Sequence, residues 1–289
     1  MKNLILLFTA LIFAVPFGIA QDTLTTSLLW EVSGKKVKSP SYVFGTMHLI
    51  PNDDFLFPES LQEKVKGADI LVMEIGGLSE QMKAMKLMML DSGTMFDYFT
   101  EPQLDSLFKY TETELGYDEA KMRMAFSKMK PFVLLQLFTK EAFGENPQSY
   151  EMSLEKLAKA NQLEVLGLET IEEQMGFIDG LSTEDQVNMI MENLRSNDKD
   201  FSETRKLIDM YLSQDIDAIH NYTVSSGMSS PEFEENFLNK RNKNWIEPIK
   251  KIVKKNKAFI AVGAAHLGGP QGVIQLLKDE GYTLTPVKL

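Results

Sequence analysis

The segment Ala68–Ile75, ADILVMEI, constrains the fold more than any other part of the chain. It is an almost unbroken apolar run of strand length, the pattern of a strand covered on both faces. Leu163–Leu168 (LEVLGL) and Ala258–Val262 (AFIAV) repeat that pattern. Leu28–Val32 and Ser41–Phe44, separated by the turn-prone Ser33-Gly34-Lys35-Lys36, read as a β-hairpin, and Thr283–Val287 as a last short strand.

Between these runs the apolar residues fall at three- and four-residue spacing. That spacing predicts helices over Glu101–Leu115, Lys130–Phe143, Tyr150–Asn161 and Glu172–Leu181. Thr183–Lys257 is almost wholly helix-like, with cap signals at Ser182-Thr183-Glu184-Asp185 and Ser230-Pro231-Glu232. Gly272–Glu280 predicts a final helix ended by Gly281. The methionines of Met82–Met95 and Met122–Met129 also fall at helical spacing and read as core residues. The expected fold is α/β with α+β character: a central mixed, largely parallel sheet flanked by helices, with a large helical block in the middle of the chain. It forms a single domain over residues 21–289, with a helical insert at about 79–160 and 170–257.

Met1-Lys2-Asn3 followed by the apolar run Leu4–Phe17 and the small-residue end Gly18-Ile19-Ala20 predicts a signal peptide over residues 1–20. No other run approaches the roughly 20 apolar residues that span a bilayer. The mature chain is therefore expected to be exported, periplasmic or secreted, without stable membrane insertion. There is no cysteine, which excludes disulfides, a thiolate metal site and a Cys nucleophile. A net charge of −11 provides no broad basic surface, so nucleic acid is not an expected partner.

The chain has only three histidines, and two of them share a local frame. Tyr42-Val43-Phe44 leads into Gly45-Thr46-Met47-His48, and Ile260-Ala261-Val262 leads into Gly263-Ala264-Ala265-His266. In each, glycine at a strand end permits a sharp turn or a positive φ, which aims the histidine back over the sheet edge. His220, in the helix-like Ile216–His220, lacks this framing and reads as structural. Glu74 and Glu169 close the two other central strands. If all four strands lie parallel, their carboxyl ends share the edge where α/β proteins place ligands. Imidazoles and carboxylates gathered there suit zinc, manganese, cobalt or iron(II). A bound ion acidifies its water and polarises a carbonyl, which makes hydrolysis the natural reaction class. The plain alternatives are a packed or surface histidine and glutamates that cap helices or face solvent. Arg241–Trp245 (RNKNW) is either a helix face packed by Trp245, or the source of an Arg241 that reaches into the site to hold a carboxylate or an oxyanion.

The stretches YVFGTMH (42–48), Glu74 closing its strand, GLETIEEQ (167–174), Arg241–Trp245 and VGAAHL (262–267) followed by Gly268 resemble, in this order, the TraB/GumN family. That family includes the TIKI-type metalloproteases and is distantly similar to erythromycin-esterase-like and ChaN-like proteins. The resemblance runs from about Leu28 to Val287. It implies an α/β core and a divalent-metal-dependent hydrolytic site built on His48, Glu74, His266 and Arg241, with Gly45 and Gly263 shaping the turns. Many relatives have Glu-Leu-Asp after the second strand, whereas Glu74 is followed here by Ile75-Gly76, so one acidic group is missing.

The expectation is thus an exported metal-dependent hydrolase of peptidase type, acting on a peptide or small-molecule substrate. His48 and His266 would ligate Mn²⁺, Co²⁺ or Zn²⁺, with Glu74 as third ligand or general base. Arg241 would stabilise negative charge, and Glu169 would orient one imidazole. The alternative is a non-catalytic extracytoplasmic binding protein for a peptide, signalling molecule or haem-like ligand, with the methionine-rich helices as its groove. A metal-free esterase is a third, weaker reading.

Overall fold

A computed structural model describes residues 25–35, 37, 39–141, 143, 146–179, 182–196, 202–225 and 234–289. The expected signal segment and the cap signal at Ser230-Pro231-Glu232 lie outside the described residues. Six strands form one mixed sheet: β1 (Leu29–Ser33), β2 (Ser41–Thr46), β3 (Ile70–Met73), β4 (Glu164–Gly167), β5 (Ala258–Gly263) and β6 (Thr283–Val287), in the order β4-β3-β5-β2-β1-β6. Neighbours among β4, β3, β5 and β2 pair in parallel, while β1 pairs antiparallel with both β2 and β6.

Sequence explains most of this order. β3 and the first five residues of β5 are fully buried, as interior strands covered by helices must be. The β1–β2 connection turns on Gly34, at φ 82°. Leu163–Leu168 departs from the expectation of a doubly covered strand. β4 lies at the edge of the sheet with one neighbour, and its Glu164 and Gly167 are exposed.

Twelve α-helices are described. α1 (Glu59–Lys66) and α2 (Leu78–Leu87) flank β3 in sequence. α3 (Glu101–Leu115) occupies its expected span because both ends are chemically marked. A capping box joins Thr100 to Gln103, Pro102 lies in the first turn, and Gly116 ends the helix at φ 70°. The middle of the chain continues with α4 (Glu119–Phe126), α5 (Phe132–Glu141), α6 (Tyr150–Ala160), α7 (Ile171–Asp179), α8 (Thr183–Ser196), α9 (Ser202–Leu212) and α10 (Ile216–Ser225). A π-helical turn, Glu234–Asn239, runs into α11 (Lys240–Val253), and α12 (Val273–Asp279) precedes β6.

The largest core joins Phe44, Leu71, Phe259 and Ile260 of the sheet to Tyr150, Trp245 and Ile249 of the helices over it. A second core, with Met95, Leu107, Met122, Leu134 and Ile190, holds α3, α4, α5 and α8 together away from the sheet. The methionines divide accordingly. Met95 and Met122 are buried there, whereas Met85 and Met124 are 73% and 84% exposed.

Candidate functional site at the carboxyl edge of the sheet

Because β2, β3, β4 and β5 run parallel, the residues just past their ends share one edge of the sheet. His48 follows β2, Glu74 follows β3, Glu169 follows β4, and His266 follows β5 in a single 3-10 turn, Ala264–His266. α11 crosses this edge and presents Arg241, Asn242 and Trp245, all buried.

Arg241 links three of these groups. Its Nη2 donates to Glu74 Oε2 at 2.5 Å and to Glu169 Oε1 at 2.6 Å, and its Nε donates to both Glu169 oxygens at 3.1 Å. Nη1 donates to the Phe237 carbonyl at 3.2 Å and lies 3.3 Å from His266 Nε2. The guanidinium stacks over Trp245, 4.9 Å from its ring centre, and Trp245 Nε1 donates to Glu169 Oε2 at 3.1 Å. Gln174 Nε2 donates to Glu169 Oε1 at 3.2 Å and to Glu74 Oε2 at 3.4 Å. The Gly263 N–H donates to Glu74 Oε1 at 2.7 Å. A buried charge inside an apolar strand end needs such partners, and Glu74 has them.

His266 is held from its other side. Asn242 Nδ2 donates to the Gln271 carbonyl at 2.8 Å, which turns Asn242 Oδ1 toward His266 Nδ1 at 2.7 Å. Nδ1 therefore carries the proton and Nε2 the lone pair, which accepts from Arg241. Burial pushes the imidazole down to about 3; the pull of Glu74 opposes this and the positive charge of Arg241 adds to it. Burial acts to raise Glu74, but His266, Arg241, His48 and the Gly263 N–H together outweigh it and hold the carboxyl near 2. At neutral pH His266 is uncharged, so Arg241 is the standing countercharge of Glu74.

His48 shares a cavity with Glu74 rather than joining this network. The two line a cleft of about 210 Å³ with Glu151 and Gln174, and Met73, Ile75 and Met152 form its apolar wall. The His48 side chain is 74% exposed, and its Nδ1 lies 3.1 Å from Glu151 Oε1. Glu151, in the first turn of α6, also accepts from Thr46 at 2.8 Å and from Ser149 at 3.0 Å. The hydrogen bond and charge of Glu151 raise the His48 imidazole above its ordinary value. His220 sits apart, buried in α10 with Nδ1 3.3 Å from the Ala265 carbonyl and its ring against Gly269.

Three positions, Gly45, Gly263 and Glu169, make contacts other than those the sequence suggests. Neither Gly45 nor Gly263 takes a positive φ. A Cβ at Gly45 would lie 2.9 Å from Leu267 and 3.1 Å from the Ala264 backbone, and one at Gly263 would lie 3.3 Å from Glu74 Oε1. These glycines give room to Leu267, Ala264 and Glu74 at the strand ends, and Gly263 leads directly into the 3-10 turn that carries His266. Glu169, expected to orient an imidazole, binds Arg241 and Trp245, while Asn242 orients His266 and Glu151 orients His48.

Fold and site together define an α/β protein with a buried Glu–Arg–His network at its strand ends, opening through Glu74 onto a cleft that His48 borders. The chain belongs to the TraB/PrgY/gumN family, whose model matches residues 28–286. No curated protein and no solved structure matches the chain.

Proposed function

We propose that this protein is an exported hydrolase that cleaves an acyl bond of a peptide or small molecule in the cleft between His48 and Glu74. The observation that carries this reading is that a histidine oriented by a carboxylate and a carboxylate fixed by an arginine line the same small cavity. With Nδ1 committed to Glu151, Nε2 is the ring nitrogen left to exchange a proton with a ligand. Its raised affinity for a proton suits it to protonate a leaving group. Glu74 orients the attacking water and takes its proton as the water oxygen bonds to the acyl carbon, His48 gives a proton to the leaving group as the acyl bond breaks, and solvent returns both groups to their starting state; Arg241 keeps the carboxylate charged and in place. Met73, Ile75 and Met152 give the substrate an apolar contact, and about 210 Å³ accommodates a group the size of one or two amino-acid residues.

Mn²⁺, Co²⁺ or Zn²⁺ is the cofactor expected from sequence. The donors His48, Glu74 and His266 fit such an ion in kind and not in placement. Among the described residues no three His, Asp or Glu side chains gather closely enough to hold one. The free lone pair of His266 and one oxygen of Glu74 are turned to Arg241.

The test is hydrolysis of a panel of peptide and ester substrates by the mature chain, with and without added Mn²⁺, Co²⁺ or Zn²⁺, beside His48→Ala and Glu74→Gln. Each variant is expected to lose about 10²- to 10⁴-fold in rate while staying folded. Turnover unaffected by His48→Ala would end the proposal.

A second reading, a non-catalytic binder of a peptide, signalling molecule or haem-like ligand, draws on exposed Met85 and Met89. It predicts ligand affinity that survives His48→Ala and is abolished by Met85→Lys.

A further inference from the structure

Among the described residues, the cleft shared by His48 and Glu74 offers a ligand side-chain acceptors on several sides and one side-chain donor. Glu74, Glu151 and Glu155 line it, and no described lysine or arginine does. We propose that the cleft takes a protonated primary amine, carried by the peptide or small molecule beside its scissile acyl bond, and that Glu155 selects for it. The inference rests on the reading above for the cleft being the substrate site, and it deepens that reading by naming a group the substrate must carry.

The direction of Gln174 sets the preference. An amide can face a ligand with either end, but its Nε2 donates to Glu169 Oε1 at 3.2 Å and to Glu74 Oε2 at 3.4 Å. Turning the amide over would set its oxygen against both carboxylates, so what Gln174 has left for a ligand is an acceptor. Glu74 and Glu151 are acceptors as well. Arg241 and the Gly263 N–H hold the first as a carboxylate, and His48, Thr46 and Ser149 all bond the second. His48 is the one side-chain donor among these groups. Even when it is charged, the lining glutamates outnumber it by three to one, and Arg241, which stands behind Glu74, offsets only one more. An anionic ligand, or one that presents carbonyl oxygens, would meet carboxylates it cannot pair with. An ammonium brings three N–H bonds and no acceptor.

Helix α6 supports the same choice. Glu151 and Glu155 lie four residues apart in it and share one face, where like charges disfavour each other. A cation held against that face offsets the repulsion. Met73, Ile75 and Met152 supply an apolar wall for the hydrocarbon that bears the amine. Among the described residues no three His, Asp or Glu side chains gather closely enough to hold a metal ion, which needs its donors about 2 Å from one point. An ammonium spreads its bonds over acceptors that stand further apart.

The experiment follows the His48 ring by NMR in the mature chain near neutral pH while three probes are added. Leucinamide carries only an α-amine, N-acetyl-lysinamide only a side-chain ammonium, and N-acetyl-leucinamide neither. At least one amine is expected to saturate at a concentration about tenfold below N-acetyl-leucinamide, and which one does so tells whether the group is a chain terminus or a side chain. Glu155→Gln is expected to weaken that amine by about tenfold. Equal saturation by all three probes, no response to either amine, or an amine affinity unchanged in Glu155→Gln overturns the proposal. Turnover of the p-nitroanilides of leucine, N-acetyl-lysine and N-acetyl-leucine separates this inference from the hydrolase reading. If none is cleaved while His48 still reports the amine preference, the hydrolase reading falls and the amine site stays. If all are cleaved equally in a cleft indifferent to the amine, the amine site falls and the hydrolase stays.

Discussion

His266 Nδ1 and Asn242 Oδ1 lie 2.7 Å apart where water does not reach, and this contact decides which ring nitrogen of His266 carries the proton. Asn242 is itself fixed by the Gln271 carbonyl, so the tautomer is set by the backbone that follows β5.

Replacing Asn242 with leucine leaves His266 Nδ1–H and the Gln271 carbonyl without their partner. The expected cost is about 1–3 kcal/mol, read as a lowered urea midpoint. Asn242→Asp places a carboxylate against the same ring and is expected to raise the His266 pKa, followed by NMR titration of the imidazole.

Gly76→Ala tests how closely the segment after β3 must approach the last residues of β4. A Cβ there would lie 2.4 Å from both the Gly167 nitrogen and the Leu166 carbonyl carbon, and neither backbone can yield cheaply. A loss of about 1–3 kcal/mol or more in chemical unfolding is expected. Gly176→Ala is the contrast: this site in α7 has open space around the added carbon, so helix propensity should stabilise the protein by roughly 0.5–1 kcal/mol.

Acid should unfold the protein in two overlapping stages. His266 binds its proton less readily folded than unfolded, so its contribution to stability is complete above pH 6.5 and is lost as pH falls from there toward about 3. Glu74, also lowered, contributes fully above its unfolded value of 4.5 and less as pH falls toward about 2. Each proton taken up changes stability by at most about 1.4 kcal/mol per pH unit. His266→Phe is expected to flatten the slope between pH 6.5 and 4.5 and to make the fall below pH 4.5 shallower, measured by urea titration across pH.

Glu151→Gln should return the His48 pKa from its raised value toward 6.5, seen by NMR titration of the ring. A raised histidine contributes stability below pH 6.5 that fades as pH rises through its folded value. Because solvent screens this exposed pair, the effect on global stability is expected to be small. A His48 pKa that stays unchanged in Glu151→Gln would mean that another group sets it.

Much of this was readable from local pattern. Apolar runs marked β3 and β5, and Thr100, Pro102 and Gly116 marked both ends of α3, because strand covering and helix capping act over a few residues. The four residues past the parallel strands were legible for a similar reason: a histidine or carboxylate interrupts each apolar frame. Partnerships were less legible. Glu151 in the first turn of a helix looks like an ordinary favourable charge at a helix start, and nothing in the sequence indicates that His48, 103 positions away, rests on it. Asn242 and Gln174 lie in stretches that stood out, yet their roles depend on which way α11 and α7 face. The space needed at Gly45 and Gly263 comes from segments distant in sequence, whereas the conformational freedom of glycine is a local property.

β5 lies between β3 and β2 in the sheet but comes after most of the chain has been made. Until residues 258–263 leave the ribosome, β2 and β3 have no central neighbour to pair with, and β1 still lacks β6. Such long-range closure postpones stable folding until residues 258–287 are available. The two halves of the sheet, β4 with β3 and β2 with β1, are joined only when β5 slides in between them, so this single strand acts as the keystone of the site edge.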